Sequence, residues 1–342
     1  MGNQVFRVSK PVEYRRAGPT DLVELLPAPG GQPLFVMKWI VEALVYAVAS
    51  SELVHLSGPT GSAKSSLLES LHLAPANFTA VCGSLGLRAM PLRLFPIEMA
   101  TYEAPGELYQ RRALSGGTTF DEHSRLVQAL EEAAAAKGTC YPLIWLREMG
   151  RVHSSSVQGG LLNLMTQGDI VLPDGRRIDG QGIAWVADSN YQAEHDSTHT
   201  LVTLDDALKR RFSVNLTLDY LSAEQEVVVL SFLFSEWARK AGSSVKPDRE
   251  VISSVVKLGQ VIRRHRAEGN LQTIAPPTIY GYLAFLRMQL ALPHLAPQQI
   301  AMVTLLGNAS VEDRKLIGGV INEVYGLASG ADEDAGVAAN LF

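Results

Sequence analysis

Apolar residues are spaced in two ways along the chain. Over the first two-thirds, short buried-looking runs alternate with stretches of helical period; beyond residue 222 only the helical period remains. The short runs predict five strands at 53–56, 91–98, 142–148, 182–190 and 213–218. Helical spacing predicts helices at 34–50 (Phe35, Ile40, Leu44, Val48), 121–137, 155–167 and 205–212. A helical or crossover segment precedes every strand after the first, which predicts a largely parallel five-stranded sheet with helices on both faces, a three-layer α/β sandwich. Alternating residues flank Pro173-Asp174-Gly175 in 169–178 and predict a hairpin. The stretch 99–120 reads only as polar and glycine-bearing. Helices are expected at 222–241, 248–268, 277–291, 297–307 and 311–327, punctuated by Lys246-Pro247 and Pro276-Pro277. The resulting division is an irregular arm (1–30), an α/β core (31–220), an all-helical domain (221–328) and a small, acidic, mobile tail (329–342).

The first strand runs into Gly58-Pro59-Thr60-Gly61-Ser62-Ala63-Lys64-Ser65-Ser66, and a helix with Leu67, Leu68 and Leu71 on one face follows. Strand, glycine loop and helix in that order form the context of a phosphate-binding P-loop. Glycines let consecutive N–H groups turn inward, and the helix start adds its own unpaired N–H groups and positive dipole end. Residues 58–66 are thus expected to bind ATP, Lys64 reaching the β- and γ-phosphates and the Ser65 hydroxyl ligating Mg²⁺. The usual motif has Gly before the Lys; here Ala63 brings a methyl group that crowds the phosphates slightly and removes no donor.

Bulk properties narrow the classes. A chain of 342 residues, 46% hydrophobic and 19% charged, has ample material for a globular core. Its net charge of −5 argues against a dedicated nucleic-acid binder. Two cysteines, Cys82 and Cys140, suggest a reducing compartment without a disulfide framework. Residues 1–16 lack the apolar core of a secretory signal, and the most apolar run, 34–49, is broken by Lys38 and Glu42 and is short for a membrane span. A soluble, cytoplasmic protein is the expectation.

The second informative place is the strand end Leu146-Arg147-Glu148, where P-loop ATPases keep an Asp for Mg²⁺ and a Glu for the attacking water. Glu148 fills the second position, where a carboxylate can deprotonate a water; Arg147 fills the first. With GPTGSAKSS, EMATYEAPGELYQRRAL, LREMGRVHSSSVQGGLLNLM, the PDG hairpin, WVADSN and LDDALKRRF in this order, residues 34–220 resemble the MoxR branch of the AAA+ ATPases, close to its dynein-related and CbbQ-type members. The resemblance implies a P-loop NTPase core with a helical lid. Lys64 and Ser65 match the Walker A pair, Glu148 the catalytic glutamate, and Asn190 the sensor-1 residue that positions the water. Arg211 matches the arginine finger that reaches a neighbouring subunit's nucleotide, with Arg210 as its alternate. It further implies a ring, commonly a hexamer, acting on a partner protein, with a von Willebrand factor A-domain protein a frequent companion. Two features depart from the family: Arg147 in place of the Mg²⁺-side Asp, and Ile279 or Tyr280 where the lid carries a sensor-2 Arg.

These residues also have plain structural readings. Glu148 fits a solvated strand end, Asn190 a turn, and Arg210-Arg211 a basic helix end. His195 and His199 are four apart but lie in a loop-like stretch, which gives little support to a metal site. Arg263-Arg264-His265-Arg266 reads as a solvated or subunit-facing basic patch. Three functions therefore compete: a partner-remodelling ATPase, a nucleotide-dependent assembly switch with little hydrolysis, and a P-loop small-molecule kinase, which leaves the helical region unexplained.

Overall fold

The computed structural model describes residues 21–26, 32–115, 117–152, 154–165, 168–190, 204–242, 248–271, 273–307 and 309–325. In chain order the elements are β1 (Leu22–Leu25), β2 (Leu34–Met37), α1 (Lys38–Ala49), β3 (Leu53–Gly58), α2 (Lys64–Leu73), α3 (Pro75–Ser84), β4 (Leu92–Glu98), β5 (Gln110–Ser115), β6 (Thr118–His123), α4 (Arg125–Ala136), β7 (Tyr141–Arg147), α5 (Ser155–Leu164), β8 (Asp169–Val171), β9 (Arg177–Asp179), β10 (Ala184–Asn190), α6 (Asp206–Lys209) and β11 (Val214–Thr217). Five helices follow: α7 (Ala223–Lys240), α8 (Arg249–Ala267), α9 (Ile279–Ala291), α10 (Pro297–Thr304) and α11 (Val311–Val324).

The five expected strands form one sheet in the order β11-β3-β10-β7-β4, and all four pairings are parallel. Both faces are covered, so β7 is buried continuously from Pro142 to Leu146, as a two-faced parallel strand should be. Its alternate residues serve different layers. Leu143 and Trp145 join the core under α1, α2 and α3; Ile144 and Leu146 join the core under α4 and α5. The three-layer α/β sandwich is therefore real, and it continues into a helical C-terminal part. That part has its own core, built around Val229, Leu230, Ile252, Val256, Tyr282 and Phe285. Ser222, Asp248, Thr278 and Ser310 each accept a first-turn N–H and so fix the starts of α7, α8, α9 and α11.

Three expectations change. The segment 34–50 is not a single helix. Leu34–Met37 is a strand paired antiparallel with Leu22–Leu25, so part of the expected irregular arm is ordered ribbon. Phe35 leaves the helical stripe and meets Phe232 of α7 edge-on at 5.5 Å, whereas Val36 on the opposite side belongs to the core beneath α1. The polar stretch 99–120 carries the hairpin β5–β6; its Arg111 and Arg112 are exposed, so no apolar alternation marked it. The following helix starts only at Arg125, where Ser124 Oγ accepts from Val127 N–H at 3.1 Å. The hairpin at Asp174-Gly175 forms as expected between β8 and β9. The tail at 329–342, residues 1–20 and 27–31 of the arm, and His195 and His199 lie outside the described residues. No helix among the described residues is long and apolar enough to cross a membrane.

Candidate nucleotide site

The carboxyl ends of β3, β10 and β7 meet at one edge of the sheet, where ligands bind in open parallel sheets. Leu53, Val54 and Leu56 bury β3, and the chain then turns through the loop 58–63 into α2, held by buried Leu67, Leu68 and Leu71. Glycine is needed at Gly58 for packing: a β-carbon there would overlap the Leu218 carbonyl and lie 2.9 Å from Ser62 Oγ. Gly61 is left-handed, with φ +80°.

Ala63, where the motif usually has glycine, is left-handed too (φ 71°, ψ 23°). Its cost therefore falls on the backbone, about 1–2 kcal/mol for a residue with a β-carbon, rather than on a crowded ligand. Ala63 also has no side-chain acceptor, so α2, like α1, α3, α5 and α10, begins without the side-chain cap that α7, α8, α9 and α11 possess. The first N–H groups of a helix lack intrahelical acceptors, and here the fold presents them at a cavity.

That cavity, about 280 Å³, is lined by Thr60, Gly61, Ala63, Lys64, Ser65 and Ser66 on one side and by Arg147, Glu148, Arg151, Asp188 and Asn190 on the other. Lys64 is buried, and its ammonium donates to the carbonyls of Gly58 (2.8 Å) and Pro59 (2.9 Å) and to Asn190 Oδ1 (3.0 Å). The lysine of the loop and the amide at the end of β10 are thus brought together by the register that sets Asn190 beside Gly58. Gly58 and Pro59 stand behind the loop as acceptors. Ser62 Oγ is buried without a hydrogen-bond partner and faces a second cavity.

Glu148 is left-handed as well (φ 52°, ψ 49°) and is half-buried. Its carboxylate accepts from Arg151 Nη1 at 3.0 Å, three residues on. Arg147 lines the cavity, and its guanidinium lies 4.7 Å over the Trp145 ring and pairs with Glu98 of β4 at 2.5 Å. Asp188, which sequence reasoning passed over, is 5% exposed. Its Oδ1 accepts from Trp145 Nε1 (2.7 Å) and from Glu148 N–H (3.3 Å). Burial holds its carboxyl above the usual range, opposed by those two donors and by the charges of Lys64 and Arg147. Arg210 and Arg211 are exposed at the end of α6 and line neither cavity.

The second cavity, about 950 Å³, lies between the P-loop and the helical part and shares Gly61, Ala63 and Ser66 with the first. Its lining is mainly apolar, with Phe35, Trp39, Ile40, Leu221 and Ile279 prominent, and Tyr280 stands at its wall. Arg263 lines it too, which corrects the surface reading of that residue. Its guanidinium sits 3.9 Å over Tyr220, pairs with the fully buried Glu226 at 2.7 Å and donates to the Pro277 carbonyl. Tyr220 in turn donates its hydroxyl to the Thr60 carbonyl at 2.6 Å, which links the loop to the helices.

The donor set fits a nucleoside triphosphate. A polar cavity holding a lysine and an uncapped helix start adjoins a larger, mainly apolar one with room for a nucleoside, and an unpartnered hydroxyl faces the latter. No group of three or more His, Cys, Asp or Glu side chains suited to a metal occurs among the described residues. A Mg²⁺ ion that came with the phosphates would have the Ser65 hydroxyl in the cavity wall as a ligand.

No protein-family model and no curated protein matches the chain. Among solved structures, it is similar to a proline-to-glycine mutant of RuvB from Thermotoga maritima, with 13% identity and a TM-score of 0.43 over 83% of this chain and 67% of that one. It is also similar to NtrX from Brucella abortus in complex with ADP, with 12% identity and a TM-score of 0.42 over 74% of this chain and 49% of that one. Likenesses this distant leave the chemistry to the geometry above.

Proposed function

We propose that the chain is an ATPase of the AAA+ class, of the MoxR type, that works as an oligomeric ring, by expectation a hexamer, to remodel, assemble or activate a partner protein. One observation carries this reading: Lys64 joins the P-loop carbonyls to Asn190 inside a cavity whose facing wall holds Glu148. ATP with Mg²⁺ supplies a γ-phosphoryl group open to in-line attack by water. Glu148 would take the proton of that water as it bonds to phosphorus and the bond to ADP breaks, while Lys64 and Asn190, giving up their mutual contact, hold the phosphate oxygens and the water in line. For this, Glu148 must let go of Arg151. Arg211, with Arg210 beside it, is exposed and outside the cavities of its own chain, as a group serving a neighbour's nucleotide would be. A partner with a von Willebrand factor A domain suits the type.

A second reading has specific support: a nucleotide-dependent assembly switch that hydrolyses little. In its favour, the Mg²⁺-side position of β7 is Arg147, and the carboxylate of Glu148 is already paired. Phosphate release by the purified protein, alongside light scattering with and without ATP, separates the two. Under the first reading, Glu148→Gln lowers turnover by about 10²–10⁴-fold without loss of ATP binding, and Arg211→Ala lowers turnover without changing the affinity of the isolated subunit. Rings that form on ATP with no phosphate release support the second reading. Turnover unchanged in both variants removes the first.

A further inference from the structure

We propose that Asp188 is the carboxylate that holds the nucleotide's Mg²⁺ together with the Ser65 hydroxyl, so that the acid missing from β7 is supplied by the neighbouring strand. This rests on the nucleotide-binding reading and goes beyond it.

The sheet register makes the argument. Ala187 pairs with Leu146, which places Asp188 beside Arg147, and on its other side Asp188 pairs with Leu56 of β3. Side chains two apart on a strand share a face. Ala184 and Val186 belong to the core under α2, and Asn190 reaches Lys64 at the start of α2. Asp188, lying between them, points to the same side and lines the cavity with Lys64 and Ser65. Arg147 lines the same wall, but its guanidinium is taken up by Glu98 and the Trp145 ring.

Hydrogen bonding agrees. Trp145 and the Glu148 N–H both donate to Oδ1, and neither donates to Oδ2. A carboxylate with so little access to water is costly unless charge and donors compensate it. Magnesium prefers one or two carboxylates completed by phosphate oxygens and water, and this wall of the cavity offers such an acid. Glu148, at the neighbouring strand end, is engaged by Arg151.

The test compares wild type with Asp188→Asn, which keeps the Oδ1 acceptor for both donors. Binding of a fluorescent ATP analogue is titrated with Mg²⁺ and again with EDTA. Wild type is expected to bind about tenfold or more tightly with Mg²⁺, and Asp188→Asn to lose most of that gain while binding equally well in EDTA. Electron paramagnetic resonance of Mn²⁺ added with ADP is expected to show bound cation in wild type and little in the variant. Asp188→Thr, with folding checked by circular dichroism, gives the same reading should Asn disturb the core. An undiminished Mg²⁺ gain in folded variants, or no gain in wild type, overturns the assignment and leaves nucleotide binding standing. A wild type that ignores the analogue in both buffers overturns both.

Discussion

On the loop side of the cleft, Thr60, Gly61 and Ala63 to Ser66, neighbours along the chain, form one wall, mostly from main chain and one ammonium. On the facing side, Glu148, Arg151, Asp188 and Asn190 come from two strands and a turn, and only their register puts them together. The first wall is local in sequence and backbone-made, so one side-chain change leaves most of its donors in place. The second is side-chain-made and lateral, so a carboxylate can be exchanged between strands while the cavity keeps its shape. Arg147 beside Asp188 is where we propose such an exchange.

Three measurements sharpen or break this contrast. The largest effect is expected from Lys64→Ala, since Lys64 is the ammonium that spans both walls. Loss of a buried charge-assisted contact lowers ATP affinity by about 10²-fold, read by calorimetry. A loss under about threefold would mean that the main chain alone makes the wall. Next is Ala63→Gly. Relief of the left-handed strain is worth about 1–2 kcal/mol, and the extra freedom of glycine in the unfolded chain takes back about 0.4–1 kcal/mol. The net is a gain near 0.5–1 kcal/mol, a rise in Tm of about 1–3 °C. A fall in Tm would show the backbone at residue 63 to be relaxed. Smallest is Arg147→Ala, which removes a partly exposed pair with Glu98. It is expected to change stability by under about 1 kcal/mol and to leave ATP affinity unaltered. A large gain in Mg²⁺-dependent binding would place Arg147 against the cation after all.

The legible parts of the chain were those whose cause is local. The central strands β7 and β10 were announced by continuous apolar runs because both their faces are covered, and the Asp174-Gly175 turn announced its hairpin. Residues 34–37 were misread because four apolar residues ahead of a helix continue its stripe as easily as they form a strand. The hairpin β5–β6 stayed hidden because polar neighbours such as Arg111 and Arg112, both exposed, break the apolar alternation that marks a strand. Asp188 was passed over because standing next to position 147 is a relation between strands, which spacing along the chain does not encode. Ala63 revealed its departure from the motif but not its cost, which depends on a dihedral angle. Arg263 read as surface because its neighbours Arg264 and His265 are polar, while its contacts with Glu226, Pro277 and Tyr220 come from distant segments.

The ribbon of β1 and β2 touches two bodies at once. Val36 is fastened to the sheet's core, while Phe35 leans on Phe232, the Pro33 carbonyl takes the Tyr280 hydroxyl, and Met37 sulfur receives Gln225. Any swing of the helices relative to the sheet must first pull these contacts apart. The ribbon would therefore act as a detent: were an occupant of the cleft to turn the helices on the sheet, these contacts would set the work of leaving the resting angle.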